Sequence, residues 1–119
     1  AKMFEYQKKS IHRIADTYLE ASWEAEGGPN YKRYLKLALG AFKLSLKQSD
    51  LHIKIKWNSQ YMIVELNRLL GNFDEAEKEL FKLKALNKTD RYRQHRQQFE
   101  QELIQEKNSN AWLLPDGDY

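Results

Sequence analysis

Chemistry in a chain of this size would have to start from its histidines or its carboxylate clusters. His12, His52 and His95 lie far apart. None forms the H-x-x-x-H or H-E-x-x-H spacing that puts two ligands on one helical face. A lone helical histidine is ordinarily a surface or boundary residue, so no metal site is expected from them. Asp74, Glu75, Glu77 and Glu79 crowd one helix start. Paired carboxylates do acid–base work or hold a metal when desolvated, or when ligands converge from other helices. An exposed first turn offers neither, and the helix dipole explains negative charge there. Asp116-Gly117-Asp118 is a fragment of a calcium loop without its remaining ligands or closing Glu. No G-x-S-x-G, phosphate loop or G-x-G-x-x-G occurs. Gly27-Gly28 is too short to cradle a phosphate and reads as an interhelical turn. No catalytic residue, metal or cofactor is therefore expected.

Binding by charge is the next possibility. The net charge is +3, but unevenly placed. Residues 1–60 carry 11 basic and 6 acidic side chains, whereas 61–119 carry 9 and 11. Lys32, Lys36, Lys43 and Lys47 fall in one narrow arc of a helical wheel, and Lys54 and Lys56 come after them. Such a 32–56 face can attract anions, nucleic acid included. It falls short of the footprint of a dedicated nucleic-acid binder, and a solvated helix face accounts for it better.

The elements that would position these residues are set by breaks and periodicity. The 119 residues suit one domain, and the 41% apolar share can fill a core. With no cysteine, disulfide staples and cysteine–zinc sites are excluded. No apolar run approaches the roughly 18 residues of a membrane span, and no secretory segment opens the chain, so a cytoplasmic setting is expected. Gly27-Gly28-Pro29-Asn30 and Gly71-Asn72 are strong breaks; Gln48-Ser49-Asp50 and Asn87-Lys88-Thr89-Asp90 are weaker ones. Five segments of helical length result. The first, Phe4 to Glu26, carries Ile11, Ile14, Ala15, Tyr18, Ser22 and Ala25 on one face, widened by Leu19 and Trp23. In the second, Tyr31 to Lys47, the lysine arc faces away from Tyr34, Leu37, Ala38, Ala41, Phe42 and Ser45. The third, about Asp50 to Leu70, opens with a strand-like alternation over Leu51–Trp57. Its Leu51, Ile55, Met62, Leu66 and Leu69 nevertheless keep helical spacing, so one continuous helix is expected. The fourth, Phe73 to Leu86, aligns Phe73, Ala76, Leu80 and Leu83. The fifth, Asp90 to about Lys107, is mostly polar, with a thin stripe of Tyr92, Phe99 and Leu103 and with Arg96 on the same line. An irregular tail begins at Asn108, and its apolar Trp112-Leu113-Leu114 is expected to pack back onto a helical groove of its own chain or of a neighbour, beside Tyr61 and the last two helices.

An internal echo sharpens this outline. Ala38-xxx-Phe42-xx-Ser45 is matched by Ala76-xxx-Leu80-xx-Leu83, each after a helix and a glycine-containing turn. This pattern resembles the tetratricopeptide repeat, a helix–turn–helix unit of about 34 residues. The best local match is Gly71-Asn72-Phe73-Asp74-Glu75-Ala76, close to that family's G-D-Y-D-E-A turn. The departures are Gln60 at the family's tryptophan, Ile63-Val64 at its Leu-Gly pair and Lys88 at its closing proline. Arg33-Tyr34-Leu35-Lys36-Leu37-Ala38-Leu39 and Tyr61–Arg68 also resemble the C-terminal half of an uncharacterised bacterial family. That family joins a cysteine-rich ribbon to tetratricopeptide-like helices, and it supplies architecture but no activity. The ribbon is absent here, so the chain is either a fragment or a ribbon-less relative.

The resemblance implies an all-α stack of two antiparallel helix hairpins plus a C-terminal capping helix, over 1–107, with a tail over 108–119. It implies a non-catalytic protein–protein interaction module, of the kind that serves as one arm of a larger bacterial protein. In such stacks the first helix of each hairpin lines a concave groove. Mapping through the Gly71 turn puts Asn58, Tyr61, Glu65 and Arg68 there, with Thr17, Glu20, Ala21 and Glu24 as weaker equivalents. These would meet a protein or peptide partner, unless Glu65 and Arg68 simply pair at i,i+3 on their own helix. Two degenerate hairpins also leave an apolar end, so self-association or a disordered start is expected unless Phe4, Ile11 or Trp23 is covered.

Overall fold

The computed structural model describes residues 14–47, 53–86 and 89–109. Among these residues are five helices and no strand: α1 over 14–24, α2 over Tyr31–Leu46, α3 over Ile53–Leu69, α4 over Phe73–Leu86 and α5 over Arg91–Gln105. The alternating stretch is helical from Ile53 onward; Asp50, Leu51 and His52 lie outside the described residues. A two-residue period favours a strand only where a second strand can pair with it, and none is present among the described residues. As a helix the same stretch stacks Trp57 on Tyr61, one turn apart, with ring centroids 5.1 Å apart.

The turns do what their glycines allow. Gly71 adopts a left-handed φ of 82° just past α3. There its N–H donates to the Arg68 carbonyl at 3.0 Å, and the next N–H, of Asn72, donates to the Asn67 carbonyl at 2.8 Å. This pair of bonds satisfies carbonyls that the helix end would leave open, and it turns the chain straight into α4. Asp74 and Glu75 then sit in the first turn of α4, where the dipole favours them. Asp90 caps α5, accepting from the Arg93 N–H at 3.2 Å.

The helices stack around α3. It packs against α2, α4 and α5, and α4 also packs against α5. Every residue from Ser59 to Leu69 is buried. The core draws on Ala15 and Leu19 of α1, Leu35 and Phe42 of α2, Met62, Ile63 and Leu66 of α3, Leu80 and Leu83 of α4, and Ile104 of α5. The positions of the internal echo, Ala38, Phe42 and Ser45 in α2 and Ala76, Leu80 and Leu83 in α4, are all buried. The two alanines admit a neighbouring backbone, and the larger side chain one turn on fills the space beyond. Gln60 is buried too. Its Nε2 donates to the Glu79 carbonyl at 2.9 Å and to Glu79 Oε2 at 2.7 Å, a polar joint between α3 and α4.

Some expectations change. The inward face of α5 is not the Tyr92–Phe99–Leu103 stripe. Tyr92 is 56% exposed, Phe99 is 42% exposed and Leu103 is half-buried, while Arg96, Gln97, Glu100 and Ile104 are buried. The helix is rotated because its neighbour presents polar groups that a purely apolar stripe would leave without partners. Ile14 and Leu37, placed on core faces by periodicity, are exposed. Asn108, where the tail is expected to begin, is irregular, and its N–H donates to the Leu103 carbonyl at 2.9 Å, closing the end of α5. No helix among the described residues is long and apolar enough to cross a membrane. Phe4, Ile11 and the tail beyond Ser109 lie outside the described residues.

A Cβ added at Gly71 would meet nothing within 4 Å, so its φ alone sets the cost of substitution. Gly71→Ala should therefore lower the unfolding free energy by about 1–2 kcal/mol, read from the urea midpoint at unchanged slope.

Candidate functional site

The four residues assigned to an open groove are where the fold departs most from the sequence reading. Tyr61, Glu65 and Arg68 are buried, and Asn58 is half-buried. Helix α5, running in the same direction as α3, lies over them. The reason is chemical. A buried face bearing an arginine, a glutamate, a tyrosine hydroxyl and an indole N–H needs partners for each. The buried face of α5 supplies them to the indole, the phenol and the guanidinium, while Glu65 accepts from Arg68 on its own helix. Trp57 Nε1 donates to Gln97 Oε1 at 3.2 Å. The Tyr61 hydroxyl donates to Glu100 Oε2 at 3.3 Å. Arg68 Nε donates to Glu100 Oε1 at 2.9 Å, and its Nη2 donates to Glu65 Oε1 at 3.2 Å. Arg68 Nη1 donates to the Asn108 carbonyl at 2.9 Å. The i,i+3 pair expected between Glu65 and Arg68 is thus present, as part of a larger network.

Cations roof the aromatic part of this face. The Arg93 guanidinium lies 5.2 Å from the Trp57 ring centroid, and that of Arg96 lies 6.0 Å from Tyr61 and 4.7 Å from Tyr92. Arg96 Nη2 also donates to the Tyr92 hydroxyl. Tyr92, although exposed, therefore holds the arginine that covers Tyr61.

The electrostatics are a consequence of burial. Desolvation, reinforced by the Glu65 and Glu100 carboxylates, pushes the Tyr61 phenol far above its ordinary value, so it stays a neutral donor. Desolvation also raises the Glu100 carboxyl, against the opposing pull of the Arg68 guanidinium. For Arg96, burial acts downward, but hydrogen bonds to Tyr92 and Tyr61 outweigh it and the net shift is upward. Arg68, Glu65 and Glu100 have no exposed surface. Their hydrogen bonds join α3 to α5.

The remaining candidates are on the outside. Lys32, Lys36, Lys43 and Lys47 are all exposed on α2, while Lys56 is half-buried on α3. On the same outer side of α2, Leu37 and Leu44 are 37% and 53% exposed, with the exposed Gly40 between them in sequence. No group of His, Cys, Asp or Glu among the described residues could hold a metal ion. His95 is exposed and meets Phe99 edge-on at 4.5 Å; His12 and His52 lie outside the described residues. Sequence reasoning missed Gln97 and Glu100. The available signal was their spacing: Arg93, Gln97, Glu100 and Ile104 share one helical face and run alongside Trp57, Tyr61, Glu65 and Arg68.

Glu100→Ala should cost about 1–3 kcal/mol in denaturant unfolding, because the buried Arg68 Nε and Tyr61 hydroxyl lose their acceptor while Glu65 still balances the guanidinium charge. Glu100→Gln keeps an acceptor and should cost less. Because the folded-state value of Glu100 is raised, its contribution to stability is fully present below its ordinary value of 4.5 and declines as pH climbs through the window above it. The deficit of Glu100→Gln relative to the parent should therefore shrink as pH rises from 4.5, measured by urea midpoints across that range. No protein-family model matches this sequence, and no curated protein or solved structure is significantly similar to it.

Proposed function

We propose that the chain is a non-catalytic protein–protein interaction module built on degenerate tetratricopeptide-like repeats, working in a bacterial cytoplasm. With Tyr61, Glu65 and Arg68 covered, the partner surface moves to the outer face of α2. The observation that carries this reading is the pair Leu37 and Leu44, two turns apart and exposed, beside Lys36, Lys43 and Lys47. Gly40 lies between them, and a Cβ there would meet nothing within 4 Å, so the helix surface is open at that point. A shallow notch flanked by leucines on one side and lysines on the other suits an acidic amphipathic helix. Its apolar side chains would cover the leucines and its carboxylates would meet the lysines.

The second reading is weak nucleic-acid binding through Lys32, Lys36, Lys43 and Lys47. It is favoured by the unbroken exposure of those four lysines. A phosphate backbone, however, has no use for the two leucines, and this ranks the protein partner first.

The two readings separate cleanly by substitution. All six positions are exposed, so changes there should move stability by no more than about 0.5 kcal/mol each. Immobilised protein in an extract of the native host should retain one stoichiometric protein. Leu37→Asp with Leu44→Asp should reduce that retention about tenfold or more. Changing the four lysines to Gln should weaken it less. If instead a labelled oligonucleotide binds with steep salt dependence, and the lysine variant alone abolishes binding, the nucleic-acid reading stands and the leading one falls.

A further inference from the structure

A second surface, away from the outer face of α2, is a groove of about 340 Å³ between α4 and α5. Its apolar wall is Phe73, Leu80, Phe81 and Ile104. Phe81 is 78% exposed, the most exposed large apolar side chain among the described residues. At one end Lys84 Nζ reaches across to Gln101 Oε1 at 2.6 Å. At the other end the groove is bounded by Asp74 and by Lys107, where α5 finishes.

The chain leaves α5 beside this groove. Lys107 adopts a left-handed φ of 54°, and its N–H donates to the Ile104 carbonyl at 3.0 Å. The turn takes the backbone off the helix axis. The Asn108 carbonyl is fixed by Arg68, so the exit point is held in place. The sequence continues past Ser109 as Asn110-Ala111-Trp112-Leu113-Leu114-Pro115-Asp116-Gly117-Asp118.

We propose that residues 111–116 of this same chain occupy the α4–α5 groove. They run along α4, with Trp112, Leu113 and Leu114 against Phe81 and its apolar neighbours and with Asp116 beside Lys84. Reach permits it. Asp74 to Lys84 spans ten helical residues, about 15 Å. Ser109 to Asp116 is seven residues, about 23 Å when extended. Charge permits it as well. The segment is uncharged where it passes Asp74 and Glu77, and its first carboxylate arrives at the lysine end. Pro115 keeps it from continuing as a helix. Three large apolar side chains gain by leaving water, and this competes with the entropy of ordering the backbone, so docking holds only if the groove covers most of them. This inference is independent of the partner assigned to α2.

The absence of cysteine makes disulfide trapping a clean test. Gly117→Cys is combined with Gln101→Cys, which lines the groove, or with Glu102→Cys, which is exposed on another face of α5 at the same height. Both pairs lie at similar distance from the exit, so a loose segment should join them at similar rates. Docking should make the intramolecular disulfide to position 101 form about tenfold faster than that to 102. Phe81→Asp, at an exposed position that should not disturb folding, should erase the difference. Equal rates at 101 and 102, or a preference that survives Phe81→Asp, would overturn the proposal. Disulfides formed mainly between chains would overturn it too, in favour of a second copy's segment in the groove. Circular dichroism of each variant confirms that the helices remain.

Discussion

The contact between Arg68 and Glu100 is the constraint on which the rest of the arrangement depends. Both side chains have no exposed surface, and the guanidinium nitrogen lies 2.9 Å from the carboxylate oxygen. Removing two charges from water costs several kcal/mol for each, and the loss is offset only when the geometry satisfies the remaining donors and acceptors. Here Glu65, Asn108 and Tyr61 complete the set. The network fixes more than one helix. Arg68 lies at the end of α3, Glu100 well inside α5, and Asn108 just past the end of α5. Together they set the rotation of α5, its register along α3 and the point where the chain leaves the bundle.

This accounts for a helix as polar as α5 being part of a core. Helix burial usually follows an apolar stripe. In α5 the apolar residues Tyr92 and Phe99 are left facing solvent, and the buried side is Arg96, Gln97, Glu100 and Ile104. Matched hydrogen bonds replace hydrophobic area as the source of specificity. A one-residue slip of α5 would turn Glu100 away from α3 and leave the buried Arg68 Nε and Tyr61 hydroxyl without their acceptor. Few alternative packings are therefore available, although the network adds little net stability compared with an apolar core of the same volume.

The same closure takes three hydrogen-bonding side chains out of contact with solvent. A groove lined by Tyr61, Glu65 and Arg68 would have offered hydrogen-bonding groups to an extended peptide. With α5 in place, those groups bind the protein's own helix. Two surfaces among the described residues set exposed apolar side chains beside charged ones, the outer face of α2 and the groove between α4 and α5. They are chemically different: one is rich in lysine with two leucines, the other apolar around Phe81. Both offer shape and charge rather than a convergent set of reactive groups.

The sequence by itself determined the helices and their breaks. Gly71 could be read as a turn-forming break, Asn87–Asp90 as a weaker one, and the buried faces of α2 and α4 as Ala38–Phe42–Ser45 and Ala76–Leu80–Leu83. These are local properties, set by backbone preference and by a 3.6-residue period within one segment. It also separated the lysine arc of α2 from its core face, for the same reason. Only the tertiary structure decided how α5 is turned and what covers α3. Periodicity sorts residues as apolar or polar and then assumes that polar means exposed. That assumption fails where two polar faces complement each other, because burial then depends on a partner far away in sequence. Arg68 and Glu100 are each ordinary helix residues alone, and only the packing of α5 beside α3 makes them a buried pair.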